Sequence, residues 1–218
     1  MTGVKICGIS HPAHAVIAAE AGADFIGLHL APSRRQVTPE RAKAIVDAVR
    51  SSSDNPPKLV GVFVDADSAE MNRLAEEVGF DMAQLSGDED PDTIAEIERP
   101  VIKALHVPAG PPSVVAWAGI RRGLAIVREA EALPLLDTKV EGHAGGTGRS
   151  FDWEVARQLA EEFEFMLAGG LTPENVAKAV AYVLPWAVDV SSGVETDGVK
   201  DPAKIRAFIA VVRASDAG

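Results

Sequence analysis

Three glycine-rich segments and two isolated reactive side chains are the parts of this sequence that could do chemistry. The segments are Gly145-Gly146-Thr147-Gly148, Ala168-Gly169-Gly170-Leu171 and Ser191-Ser192-Gly193-Val194-Glu195, and each follows a short apolar run. Glycine lets backbone amides approach an anion with no Cβ in the way, so Gly146, Gly169, Gly170, Ser192 and Gly193 are candidate donors to a phosphoryl group. Taken singly, each cluster could also be a tight turn. Cys7, the one cysteine of the chain, ends the apolar run Val4-Lys5-Ile6-Cys7. A free thiol is either a small core hydrophobe or a reactive group, and the segment alone leaves both open. Asp137 closes Leu135-Leu136-Asp137. A carboxyl buried there costs several kcal/mol unless it is paired or used, although it could also cap the following loop through backbone amides.

These residues need a scaffold that gathers strand ends. Short β-branched runs alternate with segments of helical period, the pattern of repeated βα units around a parallel sheet. Strands are expected near Val4–Cys7, Phe25–Leu30, Leu59–Val64, Met82–Leu85, Val101–Leu105, Pro134–Asp137, Phe165–Ala168 and Ala187–Val190. Between them lie apolar stripes such as Ala42, Ile45, Val46 and Val49, then Met71, Leu74, Ala75 and Val78, and finally Ile205, Phe208, Ile209 and Val212. Thr38-Pro39, Asp90-Pro91, Thr172-Pro173 and Asp201-Pro202 each set an N-cap acceptor before a proline, which marks helix starts. The stretch from Pro108 to Leu133 is the least regular, and the fifth helix is expected there, over Val114 to Val127. Eight such units could form an open doubly wound sheet. The glycines at strand ends favour a closed (β/α)8 barrel, with the active site at the C-terminal rim and phosphate at loops seven and eight.

Composition limits the alternatives. A chain of 218 residues that is 47% hydrophobic fits one barrel domain, residues 1–218. A net charge of −11, with no basic run, argues against nucleic acid as a partner. No apolar stretch is long enough to span a membrane and no signal-like leader is present, so a soluble, cytoplasmic protein is expected. One cysteine excludes an internal disulfide, and five scattered histidines make a structural zinc site improbable. Monomer and homodimer both remain open.

In order along the chain, the motifs resemble those of the phosphoribosylanthranilate isomerase family of tryptophan biosynthesis. They are Val4-Lys-Ile-Cys-Gly8, Gly22-Ala-Asp24, Val60-Gly-Val-Phe-Val64, Gln84-Leu85, Val101-Ile-Lys103 and Leu135-Leu-Asp-Thr138. The series continues with Gly145-Gly-Thr-Gly148, Phe151-Asp-Trp153, Ala168-Gly-Gly-Leu171, Pro173-Glu-Asn-Val176, Val188-Asp-Val-Ser-Ser-Gly-Val-Glu195 and Lys200-Asp201. The resemblance implies a (β/α)8 barrel without metal or organic cofactor. The implied reaction is the Amadori rearrangement of the small molecule N-(5-phosphoribosyl)anthranilate to a carboxyphenylamino-deoxyribulose phosphate.

The resemblance also implies roles. Cys7 would be the general base, Asp137 the general acid, and Arg35 the cation holding the anthranilate carboxylate, with adjacent Arg34 as the alternative. Asp189 would lie near the substrate hydroxyls or else anchor its loop. The acid protonates the ribose ring oxygen, the ring opens to a Schiff base, the base removes the C2 proton, and the enolamine ketonises. Asp137 must then hold its proton above the usual carboxylate value of about 3.9, and Cys7 must lose its own below about 8.5. Two departures bear on the anthranilate pocket: Leu28-His29-Leu30 stands where the family commonly has an aromatic pair, and Ser86 where it commonly has histidine. His29 is expected to be a hydrogen-bonded core histidine or a new polar contact, and His106 and His143 carry no assignment. A histidine-pathway aldose–ketose isomerase is the nearest alternative, but it typically pairs two aspartates, one of them where Cys7 stands. A phosphate-binding barrel that has lost turnover is the other.

Overall fold

The computed structural model describes residues 1–108, 113–139 and 153–216. Eight strands, β1 (Gly3–Cys7), β2 (Phe25–His29), β3 (Lys58–Phe63), β4 (Met82–Leu85), β5 (Val101–Pro108), β6 (Leu133–Lys139), β7 (Met166–Leu167) and β8 (Ala187–Val190), pair in sequence order. The ring is closed, with β8 against β1 through Lys5↔Asp189 and every neighbouring pair parallel. The expected (β/α)8 barrel is therefore the fold.

The outer layer holds helices α1 (Pro12–Glu20), α2 (Pro39–Ser52), α3 (Ser68–Val78), α4 (Val114–Glu129), α5 (Trp153–Ala160), α6 (Val176–Val183) and α7 (Pro202–Ser215). The apolar stripes read from the sequence on α2, α3 and α7 are all buried against the barrel. Thr38 accepts from the Arg41 amide to start α2, and Asp201 accepts from those of Ala203 and Lys204 to start α7. None of these helices is long and apolar enough to cross a membrane.

Several boundaries differ from the sequence reading. The β4–β5 connection forms a 3₁₀ turn at Pro91–Glu96 instead of an α-helix, capped by Asp90 and burying only Ile94. That acidic segment has no apolar stripe with which to hold a longer helix. Thr172 begins a turn rather than a helix: its carbonyl accepts from the amides of Asn175 and Val176, and α6 starts at Val176. β5 and β6 run further than expected because their ladder continues through His106↔Asp137 to Pro108↔Lys139. β7 is shorter, although the Ala168 amide still reaches the Leu136 carbonyl at 2.8 Å.

Strand alternation sorts the side chains. Val4, Ile6, Ile26, Leu28, Leu136 and Val188 pack outward in the large layer beneath the helices. Val60, Met82, Ile102, Ala104, Leu135, Met166, Ala168 and Ala187 form a separate inner plug. Residues two steps along from the plug, at the carboxyl ends of the strands, therefore face the barrel mouth.

Candidate active site

Cys7, His29, Gln84, His106, Asp137 and Asp189 all hold that inward register. Cys7 is the last residue of β1, and Asp137 stands two residues beyond the plug residue Leu135 on β6. The structure thus brings the two expected acid–base residues to one rim. Cys7 is 3% exposed and Asp137 half-buried. Gly146 and His143 lie outside the described residues.

Below Cys7 on the same face, Lys5 is fully buried and its Nζ donates to Asp189 Oδ1 at 2.9 Å. Burial alone would lower the ammonium's pKa, but the charges of Asp189 and Cys7 outweigh it and hold Lys5 protonated. Asp189 is thereby tied to β1 across the seam that closes the barrel.

The Cys7 thiol departs from expectation. Burial pushes its pKa above the ordinary value and the negative charge of Asp189 adds to this, while Lys5 and Lys200 pull it down without prevailing. Its sulfur lies 3.6 Å from His29 Nε2, and His29 Nδ1 lies 3.4 Å from Ser33 Oγ. Burial, then the charges of Lys5, Arg35 and Lys200, bring His29 down to about 4, partly countered by Glu195. The imidazole is thus neutral near pH 7, with Nε2 in hydrogen-bond contact with the thiol. His29 is only partly buried and contacts Cys7 and Ser33, so it is the polar contact rather than the core histidine of the two readings.

The loop after β2 brings two arginines to the same rim. Arg35 binds Glu195 in a fork, Nε donating to Oε1 at 2.7 Å and Nη2 to Oε2 at 3.1 Å. Arg34 Nη2 donates to the same Oε2 at 2.9 Å, and Lys200 Nζ to Oε1 at 3.0 Å. Burial works against the Glu195 carboxylate, yet the Arg35 hydrogen bonds and the Lys200 charge bring it down to about 2. Three cations around one carboxylate leave this edge positive on a strongly acidic chain. The Arg35 side chain is 11% exposed and that of Arg34 51%, so Arg35 is the one built into the rim.

Loops seven and eight meet through their glycines. Gly169 and Gly170 take positive φ angles of 91° and 66°, conformations that disfavour a Cβ. A Cβ on Gly193 would lie 1.8 Å from the Leu171 carbonyl oxygen, so only glycine lets the two loops touch. Ser192 and Gly193 form a short 3₁₀ turn beside that contact. Among the described residues, no hydrogen-bond acceptor engages the amides of Gly169 and Gly170.

At Ser86, one of the two departures from the family pattern, the hydroxyl and carbonyl oxygens are both engaged. Ser86 Oγ accepts from Gln84 Nε2 at 3.0 Å, and the Ser86 carbonyl accepts from His106 Nε2 at 2.9 Å, which puts an imidazole from the neighbouring strand beside Ser86. Gln84 Oε1 is buried with no partner among the described residues. Sequence reasoning missed Lys5, Lys200 and Glu195 as parts of the site. For Lys5 a signal existed, since a lysine two residues before Cys7 on an apolar strand must share its inward face and find a partner.

Comparison with known proteins supplies the family. The model of the N-(5′-phosphoribosyl)anthranilate isomerase family matches residues 4–211. A relative of that name from Dehalococcoides mccartyi is 40% identical, covering 99% of this chain and 98% of its own. Another, from Roseiflexus castenholzii, is 46% identical over 97% and 98% of the two chains. Among solved structures, phosphoribosyl anthranilate isomerase from Thermotoga maritima superposes with a TM-score of 0.84 at 34% identity, over 98% of this chain and all of that one. A second isomerase structure, in complex with reduced 1-(o-carboxyphenylamino)-1-deoxyribulose 5-phosphate, gives 0.80 at 32% identity over the same shares. The chain belongs to the N-(5′-phosphoribosyl)anthranilate isomerase family.

Proposed function

We propose that this barrel converts N-(5-phosphoribosyl)anthranilate to 1-(2-carboxyphenylamino)-1-deoxyribulose 5-phosphate in the cytoplasmic synthesis of tryptophan, with Cys7 as base and Asp137 as acid. The observation that carries the assignment is that both side chains occupy the inward register of one rim, on strands β1 and β6. A sugar held between them would present its ring oxygen to the carboxyl and C2 to the sulfur. The product analogue bound by a relative of the same fold has the phosphate and the carboxylate that this reading requires at opposite ends.

Gly169, Gly170, Ser192 and Gly193 are the phosphate donors in this reading, joined by Gly146 from the sixth loop. The meeting of loops seven and eight and the left-handed glycines support them. Arg35 holds the anthranilate carboxylate, supported by its low exposure and by the excess of cations around Glu195. Asp189 orients the bottom of the sugar site through its bond to Lys5. No second reading is favoured, because Cys7 stands where the histidine-pathway isomerases typically carry an aspartate.

Loss of phosphoribosylanthranilate fluorescence on mixing with the purified chain tests the proposal, together with growth of a tryptophan auxotroph carrying it. Turnover that falls at least about 10²-fold in Cys7→Ser, with cooperative unfolding preserved, is the expected result. No turnover by the unaltered chain would contradict the proposal.

A further inference from the structure

Cys7 poses a problem that its own surroundings do not solve. A base must be deprotonated, yet burial holds this thiol above its ordinary pKa, and the two lysines that favour the thiolate do not prevail. The proton must go to a neighbour. His29 is that neighbour: its Nε2 lies 3.6 Å from Sγ. Its other nitrogen, Nδ1, faces Ser33 Oγ at 3.4 Å, and the same hydroxyl oxygen accepts from the Arg35 amide at 3.2 Å. The thiol is thereby linked through one imidazole to the loop that carries Arg35.

We propose that His29 is the proton partner of Cys7, taking the thiol proton on Nε2 so that sulfur can act as the base. The inference rests on the reading of Cys7 given above. In the resting pair the thiol donates to neutral Nε2 and Nδ1–H donates to Ser33 Oγ. After transfer, both N–H groups of the imidazolium keep an acceptor, sulfur on one side and Ser33 on the other. The same ring could therefore carry a charge with neither donor left unpaired.

The groups facing the pair are Lys5 on β1, Asp189 on β8, Arg35 and Ser33 in the loop after β2, and Glu195 and Lys200 on the loop-eight ribbon (β9, Glu195–Thr196; β10, Val199–Lys200). Lys5, Arg35 and Lys200 favour the uncharged ring, so the imidazolium waits for substrate. An anthranilate carboxylate drawn to Arg35 adds a negative charge on the imidazole side. The protonated Schiff base formed on ring opening adds a positive charge beside sulfur. Both charges favour the thiolate–imidazolium pair, and both arrive only with the reactant.

Every proton is then accounted for. The S–H bond breaks with its electrons left on sulfur, and the Nε2–H bond forms. The C2 proton moves to sulfur, the C2–H pair becomes the C1=C2 bond, and the iminium π pair moves to nitrogen. On ketonisation sulfur delivers its proton to C1, Nε2 returns its own to sulfur, and the C2 hydroxyl proton restores Asp137, which gave one to the ring oxygen.

The test replaces the ring while keeping its size: His29→Gln retains an acceptor for the thiol but cannot carry its proton, and His29→Leu retains neither. In the fluorescence assay both variants should lose about 10²-fold in kcat at pH 7 with KM within about threefold. Their kcat should climb with pH as solvent deprotonates the thiol, whereas the unaltered enzyme stays level. A kcat within threefold of the unaltered enzyme, or a loss that is the same at every pH, would overturn the role. Full turnover in Cys7→Ser would overturn the reading of Cys7 itself, and this inference with it. Nitrogen-15 NMR of the unaltered protein needs no variant to fold: the Nδ1–H tautomer of His29 is expected, and an Nε2–H tautomer would overturn the proposal.

Discussion

Lys5 Nζ and Asp189 Oδ1 meet at 2.9 Å inside the barrel, where the lysine side chain is wholly buried and that of the aspartate one-tenth exposed. The pair ties β1 to β8, the seam that closes the ring, and sets a positive charge directly beneath the Cys7 sulfur.

Breaking that pair from one side strands a charge. Lys5→Met should destabilise the protein by about 3–5 kcal/mol, seen in thermal unfolding as roughly 2–4 °C for each kcal/mol. Joining it with Asp189→Leu should recover a large part of the loss, since neither charge is then buried alone. A double variant no more stable than Lys5→Met would show that the contact is incidental.

Glu195 gathers Arg34, Arg35 and Lys200, and its pKa of about 2 against an ordinary 4.5 makes this clamp sensitive to acid. A depressed acid is ionised in the folded chain at pH values where the unfolded chain has taken up its proton. The clamp's contribution is therefore complete above about 4.5 and lost as pH falls toward about 2. Urea unfolding of the unaltered chain and Glu195→Gln should differ most above pH 5 and converge on acidification, whereas a gap that is constant with pH would rule the clamp out.

Loop eight has no room for a side chain at Gly193, where a Cβ would sit 1.8 Å from the Leu171 carbonyl oxygen. Gly193→Ala should push the two loops apart, at a cost of about 1–3 kcal/mol in stability. If these loops hold the phosphate, KM should rise about tenfold or more while kcat changes less. An unchanged KM would remove this loop from the phosphate site.

Much of this was legible in the sequence because it depends on local periodicity. Their places at the ends of apolar runs put Cys7 and Asp137 at the barrel rim, and helical spacing picked the buried stripes of α2, α3 and α7. The rest depends on pairs far apart in the chain. Arg35 and Glu195 are 160 residues apart and Lys5 and Asp189 are 184 apart, and no local pattern announces which charges will meet. The 3₁₀ turn at Pro91–Glu96 was missed because its capping signal, Asp90-Pro91, is the same one that begins an α-helix. His29 was read as a departure from a pattern, and only its contact with the Cys7 sulfur gives that departure chemical meaning.

The turnover number of Asp137→Asn in the phosphoribosylanthranilate fluorescence assay tests the account most directly. Asparagine keeps the shape of the side chain but has no carboxyl proton to give to the ring oxygen. The acid–base account predicts a kcat lower by at least about 10²-fold with the barrel intact. A folded Asp137→Asn variant that turns over at the unaltered rate would contradict it.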